Sequence, residues 1–128
     1  MSKLYNCPVE VTLDAIGGKW KTVILRYLSK QTLRYSQLQR RMPNITQRML
    51  TLQLKELEAD GLIRRTVYDE AVKRVEYSLT DSGKTVEPIL ELMCEWGKRR
   101  AREFALKVAS GESWSGGVPR DPERACEQ

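Results

Sequence analysis

At Gly61 the hydrophobic period of the chain changes, and that change restricts the folds open to it. Before it, residues 44–61 read NITQRMLTLQLKELEADG. Wound at about 3.6 residues per turn, Leu50, Leu54 and Leu57 fall on one line, with Arg48, Thr51, Leu52 and Lys55 roughly opposite. After it, Val75, Tyr77 and Leu79 alternate with Arg74, Glu76 and Ser78, and residues 63–68 are rich in β-branched side chains. These are two strands of a hairpin joined through residues 69–73. A leucine-backed helix with a basic polar face therefore runs directly into a hairpin. The helix has legible ends: Thr46 is a fair N-cap, Asn44 with Gln47 is an alternative capping-box pair, and Gly61 can take the left-handed conformation that closes a helix.

What precedes this stretch is helical. Cys7-Pro8 opens VEVTLDAI, where Val9, Leu13 and Ile16 recur at helical spacing; proline suits the first helical position, which puts Cys7 at or near the N-cap. Gly17-Gly18 stops that helix. From Lys19 onward Trp20, Val23, Ile24, Tyr27 and Leu28 make a broad apolar stripe, with Lys21 and Arg26 on the outside. A short helix over residues 34–41, with Tyr35, Leu38 and Met42 inward, is separated by Pro43-Asn44 from the leucine-backed helix. Two helices joined by a brief turn make a helix-turn-helix, and a hairpin after it makes a winged helix. The fold class is mainly α with a small β-hairpin.

Behind the hairpin, Thr80 caps a helical pattern that runs to about residue 108, with Pro88 kinking it or breaking it near its start. Val86, Ile89, Leu90, Leu92, Met93, Trp96 and Phe104 cover more of its circumference than a small domain needs. Two readings are open. Together with the N-terminal helix this surface forms a dimer interface, or Trp96 and Met93 fill the monomer core.

The 128 residues make one domain over 1–109, and 110–128, with Gly111, Gly116, Gly117, Pro119 and Pro122, have the composition of a disordered tail. Trp114 and Cys126 lie in that tail and carry no assigned role. No apolar run is long enough for a membrane span or a signal-peptide core, so a cytoplasmic protein without a membrane partner is expected. The three cysteines, Cys7, Cys94 and Cys126, show no C-x-x-C spacing, and with no histidine the Ser-His-Asp, Cys-His and His-metal arrangements are closed. Neither an enzyme, a metal nor a cofactor is expected. Gly17-Gly18-Lys19 is not a phosphate loop, because that pattern needs glycine at Leu13 and Ser or Thr at Trp20.

Charge placement points to a partner. Residues 15–55 carry nine basic side chains and no acidic one, whereas the other 87 carry 13 basic and 17 acidic, a net of −4. That asymmetry favours a polyanion such as double-stranded DNA over an ordinary solvated basic surface. Arg64, Arg65, Lys73 and Arg74 extend the charge onto the hairpin, either for phosphate contact or paired with Asp69 and Glu70.

Several motifs now stand in one order: Cys7-Pro8, Ile16-Gly17-Gly18-Lys19-Trp20, Arg34-Tyr35 with Leu38, Ile45-Thr46-Gln47-Arg48-Met49-Leu50, Leu57-Glu58 with Gly61-Leu62, Val75-Glu76-Tyr77-Ser78-Leu79-Thr80, then Gly83 and Trp96. Over roughly residues 7–97 the chain resembles the HxlR family of bacterial winged-helix transcriptional regulators. The resemblance implies a homodimer on a palindromic operator. Thr46, Gln47, Arg48 and Thr51 match groove-facing positions; the segment around Arg34, with Ser36, matches backbone-contacting ones; Lys55, and Lys73 and Arg74 on the wing, are further candidates for DNA contact. Their chemistry agrees, since Arg pairs bidentately with guanine, Gln with adenine, and Thr reaches a base or a phosphate. Leu52 meets a thymine methyl or packs on a neighbouring helix. Many relatives carry prolines in the wing turn where this chain has Ala71, Val72 and Lys73, which implies a more flexible and more basic tip.

Some members of the family sense quinones, aldehydes or oxidants through a cysteine at the place of Cys7, so a small-molecule or oxidant effector is implied. A thiol at the N-cap would also feel the helix dipole, which favours the thiolate. A packed, inert thiol is the other reading of Cys7, and Cys94 reads as core. The rival function is a winged-helix module that docks an acidic protein. A thiol enzyme built on Cys7 would lack a base.

Overall fold

The computed structural model describes residues 4–105, so the expected tail, with Trp114 and Cys126, and the last residues of the C-terminal helical pattern lie outside the described residues. Helix α1 spans Pro8–Ile16 and α2 Lys21–Leu28; strand β1 is Leu33–Arg34, followed at once by α3, Tyr35–Arg41, and then by α4, Gln47–Ala59. Strands β2, Ile63–Tyr68, and β3, Arg74–Leu79, form the hairpin, and α5, Asp81–Lys84, leads into α6, Glu87–Glu103. The fold is a winged helix, mostly helical with one small sheet.

The residues at the ends explain the elements. Pro8 opens α1 behind Cys7; Gly17 closes it, and Gly18 at φ 91° turns the chain toward α2. The start of α4 is settled in favour of Thr46, whose Oγ1 accepts from the Met49 amide at 3.1 Å. Its end is Gly61 at φ 76°. The single long C-terminal helix divides where Pro88 falls, in the first turn of α6, and Thr80 caps the short α5.

Sequence periodicity missed one strand. β1 is only two residues long, pairing Leu33 with Tyr77 and Arg34 with Glu76, so the sheet has the order β1-β3-β2 and is antiparallel throughout. Its consequence is that α3 hangs directly from the edge of the wing's sheet.

One core cluster joins these parts. Ile24, Leu25 and Leu28 from α2, Leu38 from α3, Leu33, Ile63, Tyr77 and Leu79 from the sheet, and Leu50, Leu54 and Leu57 from α4 are all buried. At about 1.5–3 kcal/mol for each large apolar side chain taken from water, this cluster outweighs every surface contact in the molecule. Tyr27 belongs to it and donates its hydroxyl to the Arg41 carbonyl at 3.2 Å. Burial raises the pKa of that phenol, and the Arg41 guanidinium partly opposes the rise.

One expectation fails, and one of two open readings closes. Arg26 does not face outward but is 5% exposed, and the Lys21 side chain is covered and paired with Glu56 of α4 at 2.9 Å. Nor do Trp96 and Met93 fill the core: they are 59% and 48% exposed, and in α1 Val9 and Leu13 are exposed as well. Of the α1 stripe, Ile16 is buried.

A tight junction ties the end of α4 to the start of α5. The Thr80 amide donates to the Leu62 carbonyl at 3.1 Å, its hydroxyl donates to the Gly61 carbonyl at 2.6 Å, and its Oγ1 accepts from the Gly83 amide at 3.0 Å. Gly83 has to be glycine, because a Cβ there would stand 2.0 Å from the Leu62 carbonyl oxygen. Gly83→Ala is expected to lower the unfolding free energy in urea by about 1–3 kcal/mol, the range for overpacking a site that cannot relax. Gly97→Ala, where an added Cβ meets nothing within 4 Å, is the control and should leave stability level or slightly raised.

Candidate nucleic-acid interface

The leucines that bury one side of α4 leave Gln47, Arg48, Leu52 and Lys55 exposed on the other, with Thr51 half-buried at its margin. Thr46 stands at the head of this face. Its Oγ1 accepts from the Met49 amide, and a hydroxyl that accepts keeps its own hydrogen to donate. No acidic residue occupies the first turn of α4, so nothing in that turn neutralises the positive end of the helix dipole. Leu52, 45% exposed, is not packed away against a neighbouring helix.

One residue that the sequence presented as merely apolar organises the head of α4. The Tyr35 hydroxyl donates to the Gln47 carbonyl at 3.0 Å and lies 3.2 Å from the Thr51 Oγ1. Because Tyr35 is the first residue of α3 and follows β1, these bonds connect the sheet to two residues of the exposed face. Arg34 and Ser36 are exposed beside it, and the Arg34 amide donates to the Gln37 Oε1 at 2.8 Å, which fixes the first turn of α3. A hollow lined by Tyr35, Thr51, Leu54, Lys55, Glu58, Arg65 and Tyr77 separates the α4 face from the wing.

The basic run of residues 15–55 is therefore not one surface. Lys21 and Arg26 are withdrawn from it, while Lys19, Arg34, Arg40, Arg48 and Lys55 remain exposed. Lys30 lies half-buried where α2 meets α6; burial and the neighbouring Arg26 lower its pKa, against the opposing pull of Glu91, Cys94 and Glu87.

On the wing the two open readings divide by residue. Arg74 is ion-paired with Glu70 at 3.1 Å and with Glu76 at 3.5 Å, and its guanidinium lies 4.2 Å from the centre of the Tyr68 ring. Its charge is engaged in bracing the hairpin. Lys73, Arg64 and Arg65 are exposed.

Cys7 is exposed at the N-cap of α1, but it shares that helix end with a carboxylate: the Asn6 and Cys7 amides both donate to Glu10 Oε1, at 2.6 and 3.2 Å. Cys94 is half-buried in α6. Among the described residues no cluster of three or more Cys, Asp or Glu side chains could hold a metal ion, and no helix is long and apolar enough to cross a membrane.

Residues 15–104 match the model of the HxlR-like helix-turn-helix family. The chain belongs to the HxlR family. An uncharacterized HTH-type transcriptional regulator of Methanothermobacter thermautotrophicus is 57% identical over 94 residues, which span 73% of this chain and 72% of the relative. Among solved structures, the redox regulator HypR in its oxidized form superposes with a TM-score of 0.71 at 54% identity, covering 73% of this chain and 96% of that one. Its reduced form superposes with a TM-score of 0.72 at 50% identity, covering 77% and 97%. This HxlR-family chain is a helix-turn-helix transcriptional regulator, and the match begins at Ala15, near the end of α1, so Cys7 lies before it.

Proposed function

We propose that this regulator binds double-stranded DNA sequence-specifically as a homodimer on a palindromic operator in the cytoplasm, and that Cys7 couples binding to oxidants or electrophiles. The observation that carries the DNA reading is the exposure of Gln47 and Arg48 in the first turn of a helix whose opposite side is held by three buried leucines. Arg48 has the fork to take guanine O6 and N7, Gln47 the amide to take adenine N6 and N7, and Thr46 a hydroxyl for a phosphate oxygen. Arg34, Ser36, Lys55 and Lys73 supply flanking backbone contacts, and Arg74 holds the wing that presents Lys73. In a gel shift, Arg48→Ala is expected to cost about 1–3 kcal/mol on a selected operator and to relax base preference, whereas Lys73→Ala weakens all duplexes alike. Equal losses on operator and random duplex for Arg48→Ala would remove direct readout; no affinity for any duplex at moderate salt would favour a protein-docking role.

Dimerisation is supported by apolar side chains that stay largely exposed among the described residues. Leu92 is 65% exposed and Trp96 59% in α6, and Val9 is 61% exposed in α1, more than an isolated soluble domain usually leaves in water. A second copy would cover both helices and set two α4 faces about one DNA turn, roughly 34 Å, apart. Trp96→Glu should sediment as a monomer at concentrations where the parent chain is dimeric; a parent chain that is itself monomeric would refute the interface.

For Cys7 the support is its exposure and the likeness to a structure described as a redox regulator in oxidized and reduced forms. Diamide is expected to lower operator affinity of the parent protein and to leave Cys7→Ser unchanged. If the two respond equally, Cys7 is not the sensor.

A further inference from the structure

We propose that Tyr35 sets the hydrogen-bond polarity of Thr51, so that Thr51 reads the amino group of adenine or cytosine and cannot donate to guanine, thymine or a phosphate. The proposal rests on the DNA-binding reading above and sharpens it at one residue.

Three oxygens meet where α3 touches α4: the Tyr35 hydroxyl, the Gln47 carbonyl and the Thr51 hydroxyl. A phenol has one hydrogen and a carbonyl only accepts, so the 3.0 Å contact from Tyr35 to Gln47 uses the Tyr35 hydrogen. The phenol oxygen is then an acceptor, and the 3.2 Å contact with Thr51 is made only if the Thr51 hydroxyl donates to it. The opposite arrangement, with Tyr35 donating to Thr51, would give up the Gln47 contact and make one bond where two are available. With its single hydrogen turned inward, the Thr51 oxygen keeps lone pairs for an incoming donor and has no hydrogen to offer.

In the major groove that polarity discriminates. Adenine N6 and cytosine N4 are donors, while guanine N7 and O6, thymine O4 and phosphate oxygens accept. A threonine free to rotate meets either class, as the chemistry of the residue alone implies. Here the rotation is stopped by a tyrosine fixed at the first position of α3, behind β1, which is itself paired to β3. Tyr35 is thus a positioning residue: it touches no base and acts through Thr51.

The experiment is selection of bound duplexes from a random pool, using full-length protein, Tyr35→Phe and Thr51→Val. Tyr35→Phe keeps the ring and removes only the hydroxyl. The parent protein should enrich A or C at one position in each half-site. Tyr35→Phe should broaden that position to include G and T while the remaining positions keep their preference, and Thr51→Val should abolish the preference at the same position. An unchanged site for Tyr35→Phe, or an equal loss at every position, would overturn the assignment and leave DNA binding standing. Absence of any enrichment by the parent protein would overturn both.

Discussion

The three leucines on the inner side of α4 settle the direction in which its polar residues point. Leu50 and Leu57 are fully buried and Leu54 is 2% exposed. A rotation of the helix large enough to hide Arg48 would bring at least one of them into water, at about 1.5–3 kcal/mol each. A single ion pair such as that of the covered Lys21 with the partly exposed Glu56 cannot choose the face on its own. Such a pair and the hydrogen bonds act on what the leucines leave undetermined, which is the position of the helix along its axis and the tilt of its ends. Thr80 and Gly83 hold the far end through the carbonyls of Gly61 and Leu62, and Tyr35 holds the near end through Gln47. The exposed face is consequently clamped at both ends by groups from other elements.

How much of this was legible follows from the range of each interaction. The face of α4, its caps and the hairpin register depend on residues close in the chain, and periodicity shows them. β1 depends on pairing Leu33 with Tyr77, far away in sequence, and two residues carry no period to detect. The misplacement of Lys21 and Arg26 has the same origin: a helical wheel gives the width of an apolar stripe but not which neighbour covers its edges, and long basic side chains lay their stems along apolar surface. Tyr35 satisfied an apolar expectation with its ring, which concealed the work of its hydroxyl. Trp96 and Met93 could not be assigned from pattern, since a residue destined for the core and one destined for a partner look alike until the core is seen to be complete without them.

The wing shows how one residue can substitute for another kind of rigidity. With Ala71, Val72 and Lys73 in place of the prolines many relatives carry, a looser tip was the expectation. Arg74 answers it by joining Tyr68, Glu70 and Glu76 on both sides of the turn. A guanidinium held between two carboxylates and over a ring has little charge left to offer a phosphate. Lys73, one position earlier, is exposed, and such a difference between neighbours of like charge is invisible in a composition.

The electrostatics of the helix ends divide the helices into α1, α5 and α6, whose first turns carry an acid, and α2, α3 and α4, whose first turns carry none. Glu10 lies in the first turn of α1, Asp81 in that of α5 and Glu87 in that of α6, each a negative charge at the positive end of the dipole. The first turns of α3 and α4 have none, and α4 carries Arg48 there instead. A cation at that place forgoes stabilisation of about 0.3–1 kcal/mol and adds repulsion. The first turn of α2 has no acid either, but its Lys21 is paired with Glu56 of α4, whereas at the starts of α3 and α4 Arg34 and Arg48 are exposed. Local stability is the wrong place to look for the reason. Uncompensated helix ends flanked by arginines have their counter-charge supplied when an anion lies across them, and a DNA backbone supplies it in a row. The arrangement is costly in the protein alone, and the same charges would favour an anion laid across them.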